Sequence, residues 1–241
     1  MSASNLDRKE ADDAIKQMKE AYPSLARGNL LHPLALELGD LQNINAVAAK
    51  FAAKEERLDI LVNNAALLAR PLDLDKNGIS VSFATNPESN LHRYGLSKLA
   101  NHLFSAELQR RLDADKVPIV TIGLHPGYVL TGMWEDYSFI SNFSCNIYLT
   151  TDLDGASRHI DKYHADIRES ITSRSLTPLG GALTTIFAAA HPEVWEKRDL
   201  YGGAYVEPYG RVEQASEDAR DPVLAANLWK ASEDVLQSIG A

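Results

Sequence analysis

The sequence predicts an α/β fold with a parallel sheet, and three observations carry that expectation. Leu58 to Val62 is a continuous apolar run of the kind buried on both faces of a parallel sheet. Val117 to Leu124 is a second such run. Between and around them lie longer segments with helical periodicity, and alternation of short strands with helices is the mark of this class.

The elements follow in order. From Leu6 to Tyr22, the residues Ala11, Ile15, Met18 and Tyr22 recur at three- and four-residue steps, and Pro23 closes the helix. Leu34 to Leu38 reads as a strand ending at Gly39-Asp40-Leu41, and a helix follows with Ile44, Val47, Ala48 and Phe51 on its inner face. After the run at Leu58 to Val62, helices are expected from Tyr94 to about Leu112 and from Thr177 to Ala190. Tyr201 to Glu207 has strand character, and Asp221-Pro222 starts a final helix to Ile239. Residues 132 to 176 crowd Trp134, Tyr137, Phe139, Phe143 and Tyr148 into a stretch without clear period; a loop packed by its own aromatics and a pocket for an apolar, ring-bearing substrate both fit.

Composition narrows the function classes. The length suits one domain over residues 1 to 241, and 45% hydrophobic residues suffice for a core. A formal charge of −9 with no basic block argues against nucleic acid and anionic membrane as partners. Cys145 is the lone cysteine, so a reducing, cytoplasmic setting is the simpler expectation. The first ten residues lack the apolar core of a signal peptide, and no run approaches the ~18 apolar residues of a membrane span.

The most specific chemistry lies in Tyr94-Gly-Leu-Ser-Lys98, which places a phenol and an ammonium four apart on one helix face. The ammonium stabilises a phenolate and brings a tyrosine toward the range of a general acid or base. Upstream stands Asn63-Asn64-Ala65-Ala66 after an apolar run, and downstream His125-Pro126-Gly127-Tyr128-Val129-Leu130-Thr131. These three signals in this order resemble the short-chain dehydrogenase/reductase family: its Asn-Asn-Ala-Gly motif, its Tyr-x-x-x-Lys pair and its Pro-Gly-x-Val-x-Thr turn. Tyr94 to Asn101 and Ala204 to Gly210 look like the branch with retinol-dehydrogenase-like and fungal natural-product reductases. The likeness runs from about Asn5 to the C-terminus. It implies a Rossmann-like, three-layer, doubly wound parallel sheet, incomplete relative to the family.

Two segments of the family pattern are missing. A dinucleotide-binding unit needs a glycine-rich turn at a helix N-terminus to receive the pyrophosphate. The first helix here looks like the one after the family's second strand; Ser4-Asn5 reads either as a remnant of that strand's end or as a disordered start, and Gly180-Gly181 stands too late to serve. The second gap is internal. Gly78 to Asn86 matches the approach to the family's catalytic asparagine, yet only seven residues separate Asn86 from Tyr94. A parallel crossover needs about a dozen or more, so the usual helix and serine-bearing strand cannot fit. A rival alignment makes Ile79 to Phe83 that strand, with Ser82 twelve residues before Tyr94. Either way the sheet loses a piece, which leaves open a truncated reading of a normal enzyme, a pseudoenzyme, or a fold completed by a partner chain.

The resemblance implies roles residue by residue. Tyr94 would exchange the proton with a carbonyl oxygen, and Lys98 would lower its pKa and bind the nicotinamide ribose. Asn86 would position the relay water, against a plain turn before Pro87. Asn64 and Ala65 would line the adenosine ribose, with Ala66 departing from the family's glycine. Asp40 and Leu41 would meet the adenine edge, unless Asp40 simply caps the following helix. Pro126, Gly127, Val129 and Thr131 would cradle the carboxamide. His125, His159 and His164 read as structural or solvated, and no Gly-x-Ser-x-Gly elbow supports a hydrolase. The implied cofactor is NADP, with NAD not excluded, and the partner a small-molecule substrate; a homo-oligomer stays open. Two functions compete: an NAD(P)-dependent oxidoreductase of secondary metabolism, and a non-redox pseudoenzyme or interaction protein descended from it.

Overall fold

The computed structural model describes residues 8–27, 30–65, 90–129, 175–238 and 240. The chain divides into two compact units, one of residues 1–63, 72–83 and 234–241, the other of residues 64–71 and 84–233.

In the first unit, α1 (Arg8–Ala21) turns through Pro23 into the short α2 (Pro23–Arg27), and the two pack together. Ala11 and Ile15 of the expected stripe are half-buried, whereas Met18 and Tyr22 are exposed. Helix α3 (Leu41–Ala52) begins where Asp40 caps it: the carboxylate accepts from Asn43 N at 3.1 Å. Its half-buried face carries Leu41, Ile44, Val47 and Phe51, as the periodicity predicts, with Ala48 turned outward.

The expected strands at Leu34–Leu38 and Leu58–Val62 are a correction. Both segments lie outside any helix or strand, and their apolar side chains face solvent, Leu58 at 55% and Leu61 at 70% exposure. A strand exists only through its neighbours' hydrogen bonds, and no other strand is described in this unit to supply them. The hydrophobic pattern of a central strand is present; the sheet around it is not.

The second unit holds the sheet. Helix α4 (Asn90–Ala114) leads through a turn into β1 (Gly123–Leu124). The expected strand from Val117 pairs regularly only from Gly123 onward. Helices α5 (Pro178–Ala190), α6 (Pro192–Glu196) and α7 (Arg198–Tyr201) then precede β2 (Tyr205–Glu207) and β3 (Arg211–Glu213). The order is β1-β2-β3, with β1 parallel to β2 and β2 antiparallel to β3. A short 3-10 turn (Asp218–Arg220) packs on α4, and α8 (Pro222–Ser238) follows. Thr177 caps α5 through Gly180 N at 3.1 Å with Pro178 in the first turn, which is why that helix begins where the sequence places it.

Val206 is fully buried at the centre of β2, against Val194 and Tyr201, and Val120, Ile122, Leu124, Phe187 and Val212 close around it. The class is α/β, and the sheet among the described residues has three strands. Among the described residues no helix is long and apolar enough to cross a membrane.

Candidate active site

The site is built on α4 and the strand that follows it. The last turns of α4 are rich in Leu, Ala, Glu, Gln and Arg, all strong helix formers. The helix stops at Lys116, whose φ of 57° is left-handed, with Val117 N donating to Leu112 O at 2.8 Å. That is the 6→1 bond of a Schellman-type end, and Pro118 prevents any continuation.

The chain then runs back along α4 in a regular match. Gln109 bonds to Ile119 O and Thr121 N, Thr121 Oγ1 donates to Ser105 O at 2.8 Å, and the His102 ring lies against Gly123. Four helical residues rise about 6 Å and two strand residues about 6.6 Å, so the two scales keep step. Lys98 lies one helical step before His102 and is exposed. His125-Pro126-Gly127 follows the carboxyl end of β1, the edge at which open α/β sheets bind ligands.

The turn itself is held rigidly. Gly127 N donates to Nδ1 of His125 at 3.1 Å, which puts that ring's proton on Nε2, and His125 N donates to Val206 O at 2.9 Å. His125 is therefore structural, as expected. Gly127 has φ +84°, and a Cβ there would stand 2.9 Å from Leu176 Cδ1 and 3.1 Å from Pro208 Cγ. Glycine is required on both counts. Val129 bridges to Leu176 and packs its side chain on Gly181 of α5. It supports the turn by packing.

The other expected site residues separate. Asn64 and Ala65 are exposed and belong to no helix or strand. Asp40 is engaged as the α3 cap, so the capping reading is realised. Asn86 and Thr131 lie outside the described residues, as do Ala66, Ser82, His159 and His164. The sequence reading missed Ser105, Gln109 and Thr121. With Lys98 and His102, positions 105 and 109 form a stripe at helical spacing, and that stripe was the available signal.

Electrostatics sharpen which groups can transfer protons. Burial, reinforced by the Glu207 carboxylate, pushes the Tyr205 phenol up to about 12. Burial also raises Tyr201, with Glu193 adding to it. Neither is suited to act as a base near neutrality. Away from this edge, the Arg110 guanidinium, bonded bidentately at 2.6 and 2.7 Å, holds the Glu107 carboxyl down at about 2, with Arg111 adding to it against the cost of burial. Arg111 lies 4.4 Å over the Trp229 ring, which also stacks on Phe104, so this cluster ties α4 to α8.

The Pro126-Gly127 turn follows the carboxyl end of β1, where open α/β sheets receive a nucleotide. No glycine-rich turn joins a strand to a helix among the described residues, and in the first unit the N-terminus of α3 is already filled by the Asp40 carboxylate.

The fold and this edge define an α/β protein with a tyrosine–lysine helix at a strand's carboxyl end. Comparison with known proteins carries the assignment further. No family model matches the chain. It is 35% identical over 170 residues to a short chain dehydrogenase/reductase, dpmpH, of Macrophomina phaseolina, covering 70% of this chain and 71% of that protein. It is 27% identical over 282 positions to dpfgH of Gibberella zeae, another short chain dehydrogenase/reductase (96% and 73% covered). With retinol dehydrogenase 14 of Mus musculus it shares 26% over 280 positions (94% and 75%). The chain belongs to the short-chain dehydrogenase/reductase family, and its functional class is that of an oxidoreductase with a nicotinamide cofactor. An alignment of 282 positions against 241 residues opens at least 41 gaps within this chain. The relative thus carries internal segments that this chain lacks.

Proposed function

We propose that the chain carries the proton-transfer half of an NADP-dependent carbonyl reductase, acting on a ketone or alcohol of a small apolar metabolite in secondary metabolism. The observation that supports it is the register of the helix that carries Tyr94 and Lys98, held on the strand leading to Pro126-Gly127 by Gln109 on Thr121 N and by Thr121 Oγ1 on Ser105 O. When bound, the cofactor supplies the hydride. Tyr94 gives its phenolic proton to the carbonyl oxygen, or takes it back in the reverse direction, and Lys98 favours the phenolate and holds the ribose hydroxyls. Asn86 and Thr131 complete the site by the same resemblance. The NADP preference and the fungal pathway rest on likeness to the natural-product branch, and a cytosolic setting on the single cysteine.

A second reading, a descendant without redox activity, is supported by the exposed apolar segments at 34–38 and 58–62 and by the unfilled phosphate end. Two variants separate the readings. In a chain given the family segments that complete the site, a cofactor-oxidation assay is expected to show Tyr94→Phe abolishing carbonyl reduction with cofactor affinity nearly unchanged, and Lys98→Ala lowering both. Equal rates for wild type and Tyr94→Phe would remove the assignment.

A further inference from the structure

We infer that Gln109 is a positioning residue whose side-chain amide stands in for a strand peptide and fixes the height of α4, and so of Lys98, against the Pro126-Gly127 turn. The link to Lys98 rests on the reading just given; the geometry of the amide does not. In a parallel pair, each strand residue donates to the carbonyl before its partner and accepts from the N–H after it. Gln109 does both: Nε2 donates to Ile119 O at 3.1 Å, and Oε1 accepts from Thr121 N at 2.7 Å. It thereby occupies the place of a residue opposite Val120.

The ladder it joins is the one made by the chain entering β2. Gly203 N donates to Thr121 O at 2.8 Å and Gly123 N donates to Ala204 O at 3.0 Å. Gln109 continues that row of bonds backwards, where residues 198–201 have turned into α7 and offer no strand. The side chain lies in line with that segment, since a Cβ on Gly202 would stand 3.2 Å from Gln109 Cδ.

Every valence of the amide is used. Nε2 also donates to Asp113 Oδ1 at 2.9 Å, and Oε1 takes the longer share, at 3.2 Å, of the Thr121 hydroxyl proton that Ser105 O also accepts. Gln109 is only 7% exposed. Apolar contacts between a helix and a sheet are non-directional and permit sliding; a four-bonded amide does not. Its loss frees α4 to shift along the strand, and Lys98, eleven residues away on the same rigid helix, shifts with it.

Nitroxide labels test this without requiring activity. In a Cys145→Ser chain, labels at Asn101→Cys on α4 and Tyr209→Cys on the β2–β3 turn occupy exposed positions in the same unit. Gln109→Met keeps the volume and loses all four bonds; Gln109→Glu keeps the acceptor and loses the donor. Both are expected to shift or broaden the interlabel distance by about 1.5–5 Å, one residue to one helical turn, and to speed exchange of the Thr121 amide. Ser105→Ala, which leaves the Ser105 carbonyl in place, is expected to change neither. An unchanged distance in the glutamine variants, even with a lowered melting temperature, would show packing alone and overturn the inference. A displaced helix together with a Lys98→Ala variant that binds NADPH as well as its parent, both measured in a chain given the family segments that complete the site, would keep the positioning role and end the catalytic reading.

Discussion

Glu107 shows how much one residue carries in the helix that bears the site. It is 2% exposed, ionised, and bonded to two guanidiniums, so its carboxyl is lowered from 4.5 to about 2 in the folded chain. A depressed carboxyl contributes stability that is present above the unfolded value and lost as pH falls through the folded one. Denaturant titrations should therefore show stability declining from about pH 4.5 toward 2, and Glu107→Gln should flatten that decline while lowering stability at neutral pH. Gly181 makes a different kind of demand. It is buried with Val129 directly against it, so Gly181→Ala must displace Val129 and the turn it anchors. A loss of roughly 1–3 kcal/mol is expected from such overpacking, read as a lower denaturation midpoint at unchanged slope. At this scale the sequence was legible where chemistry is local. Asp40 has the cap pattern in its own neighbours, and Pro126-Gly127 announces a turn. Gln109 was invisible because its partners lie across a turn that only the fold closes.

Among elements, helices were read well and strands poorly, for one physical reason. A helix satisfies its own backbone within four residues, so its period, caps and prolines mark it: Thr177-Pro178 starts α5 and Asp221-Pro222 starts α8, as expected. A strand is completed elsewhere. Leu34 to Leu38 has the right composition and no partner, while β3 has a partner and was missed. Its signal was present in Glu207-Pro-Tyr-Gly-Arg211, a turn with Gly210 at φ +84° between two Val-Glu pairs. The end of α4 supplies a prediction at this scale. Lys116 takes a left-handed φ that costs an L-residue roughly 1 kcal/mol, so Lys116→Gly should raise the melting temperature. His102 supplies another. Its Nδ1 is buried against Gly123 without a hydrogen-bond partner among the described residues, and burial lowers its pKa from 6.5. The unfolded chain takes the proton first as pH drops, so stability should fall below about 6.5, and His102→Phe should lessen that slope.

At the scale of the whole molecule, the described residues combine a turn held by Leu176 and Pro208 at a strand's carboxyl end with a sheet of three strands. The α/β class and the family were legible from three motifs in order, because each is a short local pattern that can be read without its long-range partners. The state of the sheet was legible only as a count, seven residues between Asn86 and Tyr94, and the internal gaps against the Gibberella zeae relative agree with it. Which strands would survive such an omission depends on long-range pairing and could not be read locally. The cofactor consequence is direct. Without a glycine-rich turn, pyrophosphate loses close N–H donors whose charge-assisted bonds are worth ~1.5–3 kcal/mol each, and the loss of two weakens binding about a hundredfold or more. Inserting the segments that the Gibberella zeae relative carries and this chain lacks should restore both NADPH binding and carbonyl reduction. The most direct measurement is calorimetric titration of NADPH into the folded 241-residue polypeptide. The account predicts no micromolar binding, and a micromolar dissociation constant would contradict it by showing that another part of the chain holds the phosphates.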